Sequence, residues 1–227
     1  MDGNASSWDK VHQRIHVEDK NPSSYAQEKE ILFPRGAIVA DLGGGTGADA
    51  LYFLDKDHQV IILDVSKFAL EVAQKKATEA GKEKNLITKE VDFGEEKLPL
   101  RDNSCDVVYS RISLNYFPRD RTVEIFREIY NCLKRGGRAF ITLKSPRDRE
   151  EITFLQSSSV VFEPGVFIQN GQLRSRFTET QLKEMLNEAD IRGYEVKLYD
   201  ENLTHKGEGH KDMLHLTEIT FTKQESS

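Results

Sequence analysis

Four glycines in the five positions from Gly43 to Gly47 lie between an apolar segment and a helix-like segment. The apolar segment, residues 37–42 (AIVADL), predicts a buried strand. Glycine permits positive φ and has no Cβ, so a ligand can approach the backbone, and the start of the following helix offers unpaired N–H groups. The sequence therefore predicts a strand–turn–helix unit with a ligand on its turn. The alternative is a tight turn with no ligand.

Further apolar runs of strand length follow along the chain. Several are apolar at successive positions, as expected for parallel strands that are covered on both faces. Together with the first, these strands are predicted over residues 37–42, 59–63, 86–91, 106–109 and 138–143. Two later runs, 194–199 and 214–222, have only a polar link between them and predict an antiparallel hairpin at one edge of the sheet.

The segments between the strands have helical spacing. The first predicted helix is residues 66–80, with Ser66 as N-cap and Gly81 after the last turn. The second is residues 119–133, ended by Gly136–Gly137. The third begins at the capping box of Thr178 and Gln181. Because strands and helices alternate, we predict an α/β fold with a doubly wound, mostly parallel sheet.

The composition excludes several classes of protein. The length of 227 residues fits one domain, and the formal net charge of −6 argues against nonspecific binding to nucleic acid or an anionic membrane. No run approaches the roughly 18 apolar residues of a membrane helix, and MDGNASSWDK lacks a signal-peptide core. Cys105 and Cys132 have no metal-ligand spacing. We therefore expect a cytoplasmic protein without a metal, a membrane or a nucleic-acid partner.

The residues themselves leave two ligands open for the glycine-rich turn. Residues 43–48 satisfy the dinucleotide fingerprint G-x-G-x-x-A, and Asp64, at the end of the second strand, suits the ribose of either NAD or S-adenosylmethionine. Asp41, directly before the turn, is poorly placed for a pyrophosphate and suits a positively charged amino group. Asp92 and Phe93 could flank an adenine, and the C-terminal hairpin is foreign to common dehydrogenase halves. These features favour S-adenosylmethionine.

The pattern D-x-G-x-G-x-G over residues 41–47 resembles the first motif of the class I S-adenosylmethionine-dependent methyltransferases. Asp64 and Asp92 match that family's acidic residues after the second and third strands, and residues 106–109 and 133–137 are similar to its later motifs. The resemblance is closest to the small-molecule branch. It implies a seven-stranded sheet of order 3-2-1-4-5-7-6 with strand 7 antiparallel, and S-adenosylmethionine as the cofactor.

The resemblance also implies a set of cofactor-binding residues. The glycines of the turn would contact the amino-acid part of the donor, and Asp64 its ribose. Asp92 and Phe93 would contact the adenine, and Ser110 the region near the sulfonium. The full set is Asp41, Gly43, Gly45, Gly47, Asp64, Val65, Asp92, Phe93 and Ser110. The family has no universal catalytic residue, so none is assigned.

The expected activity is in-line transfer of the methyl group to a small-molecule acceptor. A general base is needed only if the reactive acceptor carries a proton. Residues 109–116 (YSRISLNY), after the fourth strand, lack the Asn-Pro-Pro-Tyr or Asp-Pro-Pro-Tyr run of amino-group methylases that act on DNA and many proteins. A non-catalytic cofactor-binding module and an NAD-dependent dehydrogenase are the alternatives.

Two segments lie outside the strand–helix repeat. Residues 1–36 are predicted to form an N-terminal lid, and residues 144–177 a cap inserted into the methyltransferase domain of residues 37–227. The alternative is ordinary surface structure. The candidate substrate-side residues are Trp8, Tyr25, Arg111, Tyr116, Arg174 and Arg176.

Three other groups of residues are candidates for the same region. His12 and His16 have the i, i+4 spacing of a helical metal site, with a surface role as the alternative. The aromatic residues of the insertion could wall an apolar pocket, and a histidine group lies near the last hairpin. These residues are Phe154, Phe162 and Phe167, and His205, His210 and His215.

Overall fold

The computed structural model describes residues 4–16, 21–202 and 213–224. Ten strands are present among these residues, and they form a seven-stranded and a three-stranded sheet. The strands are β1 (Ile38–Leu42), β2 (Gln59–Asp64), β3 (Leu86–Glu90), β4 (Cys105–Arg111), β5 (Leu133–Lys144), β6 (Val160–Glu163), β7 (Val166–Gln169), β8 (Gln172–Ser175), β9 (Glu195–Asn202) and β10 (Met213–Thr222).

Seven α-helices accompany the strands in this part of the chain. They are α1 (Asn4–Val11), α2 (Ser24–Glu30), α3 (Ala48–Asp55), α4 (Lys67–Glu79), α5 (Arg119–Cys132), α6 (Arg149–Ser158) and α7 (Glu179–Glu188). A π-helical turn, His12–His16, extends α1, and a 3₁₀ turn, Glu83–Asn85, precedes β3. None of the helices in the described ranges has the length and apolar character needed to cross a membrane.

The large sheet has the order β3-β2-β1-β4-β5-β10-β9. Strands β1 to β5 pair in parallel, and β10 runs antiparallel to both β5 and β9. Because β9 and β10 are the sixth and seventh strands of this sheet, the predicted order 3-2-1-4-5-7-6 is confirmed. So is the antiparallel C-terminal hairpin.

Helices cover both faces of the large sheet. One core cluster joins the sheet to apolar side chains of α5 and α7, and the other joins it to α2, α3 and α4. Two of these helices begin as their sequences predict. The Ser66 hydroxyl accepts a hydrogen bond from the Ala69 N–H, and Thr178 and Gln181 form a complete capping box.

Helix α5 ends earlier than its sequence predicts. The predicted stop was Gly136–Gly137, but the helix ends at Cys132 and Leu133 already has extended backbone angles. Leu133 pairs with Cys105 of β4, and the Ser104 N–H donates to the Cys132 carbonyl at 2.8 Å. Pairing with β4 therefore ends the helix before the two glycines are reached, and Gly136 and Gly137 lie within β5.

The insertion at 144–177 has secondary structure that the sequence did not predict. It consists of α6 followed by the small antiparallel sheet β6-β7-β8. A partly buried ion-pair group fixes it to the large sheet. Glu151 of α6 contacts Lys144 at the end of β5 and the buried Arg176 just after β8, at 2.6 Å and 2.9 Å.

Candidate active site

A cavity of about 650 Å³ lies at the carboxyl ends of the central parallel strands. In doubly wound folds, this edge is where ligands bind. Elements from four parts of the chain line it: the N-terminal segment, the glycine-rich turn, the ends of β2 to β5, and the C-terminal hairpin. The lining includes Trp8, His12, Ser23, Ser24, Asp41, Gly43, Gly45, Asp49, Asp64, Val65, Asp92, Phe93, Tyr109, Arg111, Ser113, Tyr116, Lys144 and Glu201.

The glycine-rich turn between β1 and α3 is shaped by close contacts. Gly43 has φ +70°, and a Cβ there would lie 2.2 Å from the Ser113 Cβ; a Cβ on Gly45 would lie 2.8 Å from the His12 ring. Gly47 differs from these two, because it does not line the cavity. It begins α3 with φ +81°, and its missing Cβ makes room for Ala73 of α4. The structure thus places Gly47 as a packing residue behind the turn.

Asp41 is a buried carboxylate at the base of the cavity. Its Oδ2 atom is buried and has no hydrogen-bond partner among the described residues. Burial raises the pKa of Asp41 well above its usual range, and the nearby carboxylates of Asp49 and Asp64 raise it further. A positively charged group in the cavity would stabilise the ionised form of Asp41.

Asp64 lies at the end of β2, and its carboxylate is held by the backbone. It accepts hydrogen bonds from the N–H groups of Gly45 and Ser66 at 2.9 Å and 2.8 Å. Burial raises the pKa of Asp64, while the Ser66 N–H and the nearby His12 oppose that shift. Val65 follows it in the cavity wall. The carboxylate is therefore fixed in position before any ligand binds.

Asp92 and Phe93 border the cavity after β3. The Asp92 Oδ1 atom accepts from the Gly94 N–H at 2.8 Å, and the Phe93 ring is buried near Phe117, with centroids 6.4 Å apart. An acceptor oxygen and an apolar ring thus lie side by side there. This is the arrangement that the sequence predicts for an adenine site.

Ser110 of β4 was also predicted to bind the cofactor, but like Gly47 it lies behind the cavity wall. It is fully buried, and its hydroxyl lies 2.6 Å from that of Ser113, which donates to the Leu42 carbonyl at 2.6 Å. Ser113 lines the cavity instead. Sequence reasoning missed Ser113 because nothing in the motif marks the second residue after β4.

Three predicted substrate-side residues come together above the cavity. The Trp8 ring of α1 meets the Tyr116 ring edge-on, with centroids 4.8 Å apart, and the Arg174 guanidinium lies 5.0 Å from the Tyr116 ring centre. A hydrogen bond of 2.8 Å from Gln172 to Ser7 adds a second contact between β8 and α1. The N-terminal helix and the insertion therefore meet at Tyr116.

The remaining substrate-side predictions have different surroundings. Tyr25 is fully buried between the rings of Tyr109 and Tyr199 and does not line the cavity. Arg176 is 3% exposed and paired with Glu151. Neither residue lines the cavity, so the structure gives no support to these two predictions.

Arg111 does line the cavity, but its positive charge is paired with the carboxylate of Glu201. Its Nε and guanidinium groups contact Glu201 of β9 at 2.9 Å and 2.8 Å, and Glu201 is buried. Glu201 also accepts from the Ser24 hydroxyl at 3.2 Å. The result is a neutralised polar wall between β4, β9 and the start of α2.

Sequence reasoning missed a second polar network on this wall. Asp49, in the first turn of α3, accepts from the Ser23 N–H at 2.6 Å and from the Tyr109 hydroxyl at 2.7 Å. These contacts fix the start of α2 against the glycine-rich turn. The available signal was an acidic residue at a helix N-terminus, which is common in surface helices.

The aromatic residues of the insertion do not form one pocket wall. Phe154 and Phe162 are exposed, and Phe167 is buried. The side chain of His16 and both His205 and His210 lie outside the described residues, whereas His215 contacts Asp200 at 2.9 Å. Within the described ranges, no three His, Cys, Asp or Glu side chains are grouped to hold a metal ion.

The chain is similar to known methyltransferases. Residues 39–137 match the family described as "Methyltransferase domain". The chain is 32% identical over 153 residues to a malonyl-[acyl-carrier protein] O-methyltransferase of a Marinomonas species, covering 62% of this chain and 54% of that protein. It is 25% identical over 220 residues to the putative methyltransferase YqeM of Bacillus subtilis, covering 87% and 82%.

A solved structure agrees on the fold. The 1,6-didemethyltoxoflavin-N1-methyltransferase of Burkholderia thailandensis, with bound 1,6-didemethyltoxoflavin and S-adenosylhomocysteine, matches with a TM-score of 0.67 at 18% identity. The match covers 97% of this chain and 85% of that chain.

Residues 39–137 are therefore a methyltransferase domain, and the sheet has the strand order that the resemblance to the class I S-adenosylmethionine-dependent methyltransferases implies. This domain indicates S-adenosylmethionine as the cofactor and disfavours the NAD-dependent dehydrogenase alternative. The methyltransferase spans about half the length of the first of these relatives.

Proposed function

We propose that this methyltransferase transfers the methyl group of S-adenosylmethionine to a small-molecule acceptor by in-line displacement. The observation that carries the proposal is one cavity that joins the glycine-rich turn to Trp8 and Tyr116. Its volume of about 650 Å³ is in the range of small-molecule sites, and it is roofed by α1. This space suits the donor and a small acceptor.

The lining residues fit the donor. The unpartnered Asp41 oxygen would accept from the donor's cationic amino group, and the turn at Gly43 and Gly45 would contact its amino-acid part. Asp64, with Val65 beside it, would hold the ribose. Asp92 and Phe93 would hold the adenine. The bound donor supplies an electrophilic methyl group on a cationic sulfonium.

The acidic lining favours the donor electrostatically. Five carboxylates line the cavity, and among the described residues Arg111 and Lys144 are the lysine and arginine side chains that do so. A cationic sulfonium is therefore stabilised in this site more than the neutral thioether that forms on transfer. Catalysis would then rest on alignment and on exclusion of water, which in favourable cases contribute several kcal/mol.

Residues 1–36 and 144–177 are proposed to act as lid and cap over the acceptor. Trp8 from the first segment and Arg174 from the second contact the same ring, Tyr116, at the carboxyl end of β4. An acceptor that enters beside Tyr116 would thus touch both segments. We place acceptor specificity at this junction.

Transfer of a labelled methyl group tests the proposal. The chain is incubated with methyl-labelled S-adenosylmethionine and, separately, with the small-molecule and RNA fractions of a cell extract. The RNA arm is needed because two curated relatives are named 18S rRNA (guanine-N(7))-methyltransferases. We expect label in the small-molecule fraction. Label only in RNA would overturn the acceptor class, and no transfer to either fraction would favour a non-catalytic cofactor-binding module.

A further inference from the structure

The outer strand of the small sheet, β6, has an apolar and unpaired edge. It pairs with β7 on one side, and within the part of the chain that the structure describes no strand pairs with its other side. Val160, Val161 and Phe162 are 68%, 63% and 54% exposed. Successive side chains of a strand point to opposite faces, so apolar groups flank this open edge on both faces of the sheet.

Soluble proteins usually protect such edges with charged side chains, proline or a bulge that turns the edge away. In β6 the one charged residue is Glu163, and its carboxylate is turned to the N-terminus of α5, where it accepts from the Arg119 N–H at 2.6 Å. The register shift between Val161 and Glu163 lies on the side that pairs with β7. The exposed edge of Val160 to Phe162 therefore lacks a protecting charge.

We infer that β6 is a self-association surface, on which the β6 strand of a second copy of this chain pairs antiparallel about a two-fold axis. Such pairing would join the two small sheets into one sheet of six strands. An axis at Val161 places Val160 opposite Phe162 of the second copy, and Ser159 opposite Glu163. No like charges then face each other, so the strand is complementary to itself.

The contact is small. Three side chains and one strand of four residues cannot cover the roughly 800 Å² per partner of a typical stable complex. The dimer is therefore weak and concentration-dependent. It is independent of the donor residues, because none of the three β6 side chains lines the cavity.

Sedimentation velocity of the full chain from about 1 to 300 μM tests the inference. We expect the mass to rise from the monomer value of 25.9 kDa towards twice that value. Val161→Lys should weaken the dimer at least about tenfold, because the two lysines would lie opposite each other at the two-fold axis. The matched control is Ile31→Lys, which adds the same charge at a residue 76% exposed at the end of α2 and should leave dimerisation unchanged.

Hydrogen exchange of the unmodified chain gives a readout that needs no variant. The amides of residues 160–163 should exchange more slowly as the protein concentration rises, with no such change at residues 31–32. A chain that stays monomeric over this range overturns the inference. So does a dimer that Val161→Lys and Ile31→Lys affect equally.

Discussion

The ring of Trp8 meets the ring of Tyr116 edge-on, with centroids 4.8 Å apart. Trp8 is the single tryptophan of the chain, so its fluorescence reports on the junction of α1 with the cavity. We expect the emission of Trp8 to change when S-adenosylhomocysteine is added, because the ligand enters the cavity that Trp8 lines. A fluorescence titration checks this.

NAD is the matched control for the fluorescence titration, and it should leave the emission of Trp8 unchanged. Tyr116→Ala should alter the emission of the ligand-free protein, because it removes the ring that packs against Trp8. Emission that responds to neither the ligand nor Tyr116→Ala would contradict the placement of α1 over the cavity.

Removal of the Asp64 carboxylate should weaken donor binding. Asp64→Ala removes charge-assisted hydrogen bonds to the ribose, which contribute roughly 1.5–3 kcal/mol, or about 10- to 150-fold in affinity. Calorimetric titration with S-adenosylhomocysteine measures this loss, and Asp57→Ala, which changes an exposed carboxylate, serves as the control. An unchanged affinity in folded Asp64→Ala would rule out the proposed ribose contact.

Asp41 should make the ligand-free protein less stable as the pH rises. Its folded-state pKa lies above its unfolded value, so between these two values the folded state binds more protons, and the free energy of unfolding falls with increasing pH. Asp41→Asn should therefore raise the melting temperature of the ligand-free protein and flatten this pH dependence. The same variant should bind the donor more weakly, because the charge opposite the amino group is lost.

Thermal unfolding of both proteins at several pH values, with and without S-adenosylmethionine, separates the two effects of Asp41→Asn. If the variant were less stable and bound the donor as tightly as the unmodified chain, Asp41 would be a structural residue.

Glu151 should contribute stability that is lost in acid. Burial alone would raise its pKa, but Arg176 and Lys144 lower it to about 2. Its contribution is therefore complete above the ordinary pKa of glutamate and decreases as the pH falls towards 2. Glu151→Gln leaves the buried Arg176 without its counter-charge and should lower the free energy of unfolding by about 3 kcal/mol, the lower end for a broken buried pair.

Urea unfolding at neutral pH measures the loss in Glu151→Gln, and Glu150→Gln next to it in α6 is the control. Equal stability of the two variants would show that the ion-pair group does not hold the insertion in place.

The large sheet could be predicted from the sequence because its strands and the helices between them are marked by patterns of residues that are neighbours in the chain. Apolar runs fixed the strands, and Ser66 and Thr178 marked helix starts through their own caps. The end of α5 could not be predicted this way, because the pairing of Leu133 with Cys105 is a contact between distant parts of the chain.

In the candidate site too, some residues could be placed from their sequence positions and others could not. Asp41, Asp64 and Asp92 lie at or just after the carboxyl ends of parallel strands, so their sequence positions alone bring them to one edge of the sheet. The contacts of Tyr25 and Arg176 depend on which distant residues pack against them, namely Tyr199 and Glu151. Outside the strand–helix repeat, the residue type alone does not show whether an aromatic or basic side chain lines the cavity or packs in the core.

The most direct test of the central claim is a crystal structure of the chain with S-adenosylhomocysteine. We predict that the product's amino group lies within hydrogen-bond distance of Asp41 and its ribose hydroxyls within that distance of Asp64. Its sulfur should face an open space beside Tyr116, large enough for a small acceptor. A product bound elsewhere, or a sulfur that faces away from Tyr116 into a wall with no space beside it, would contradict the account.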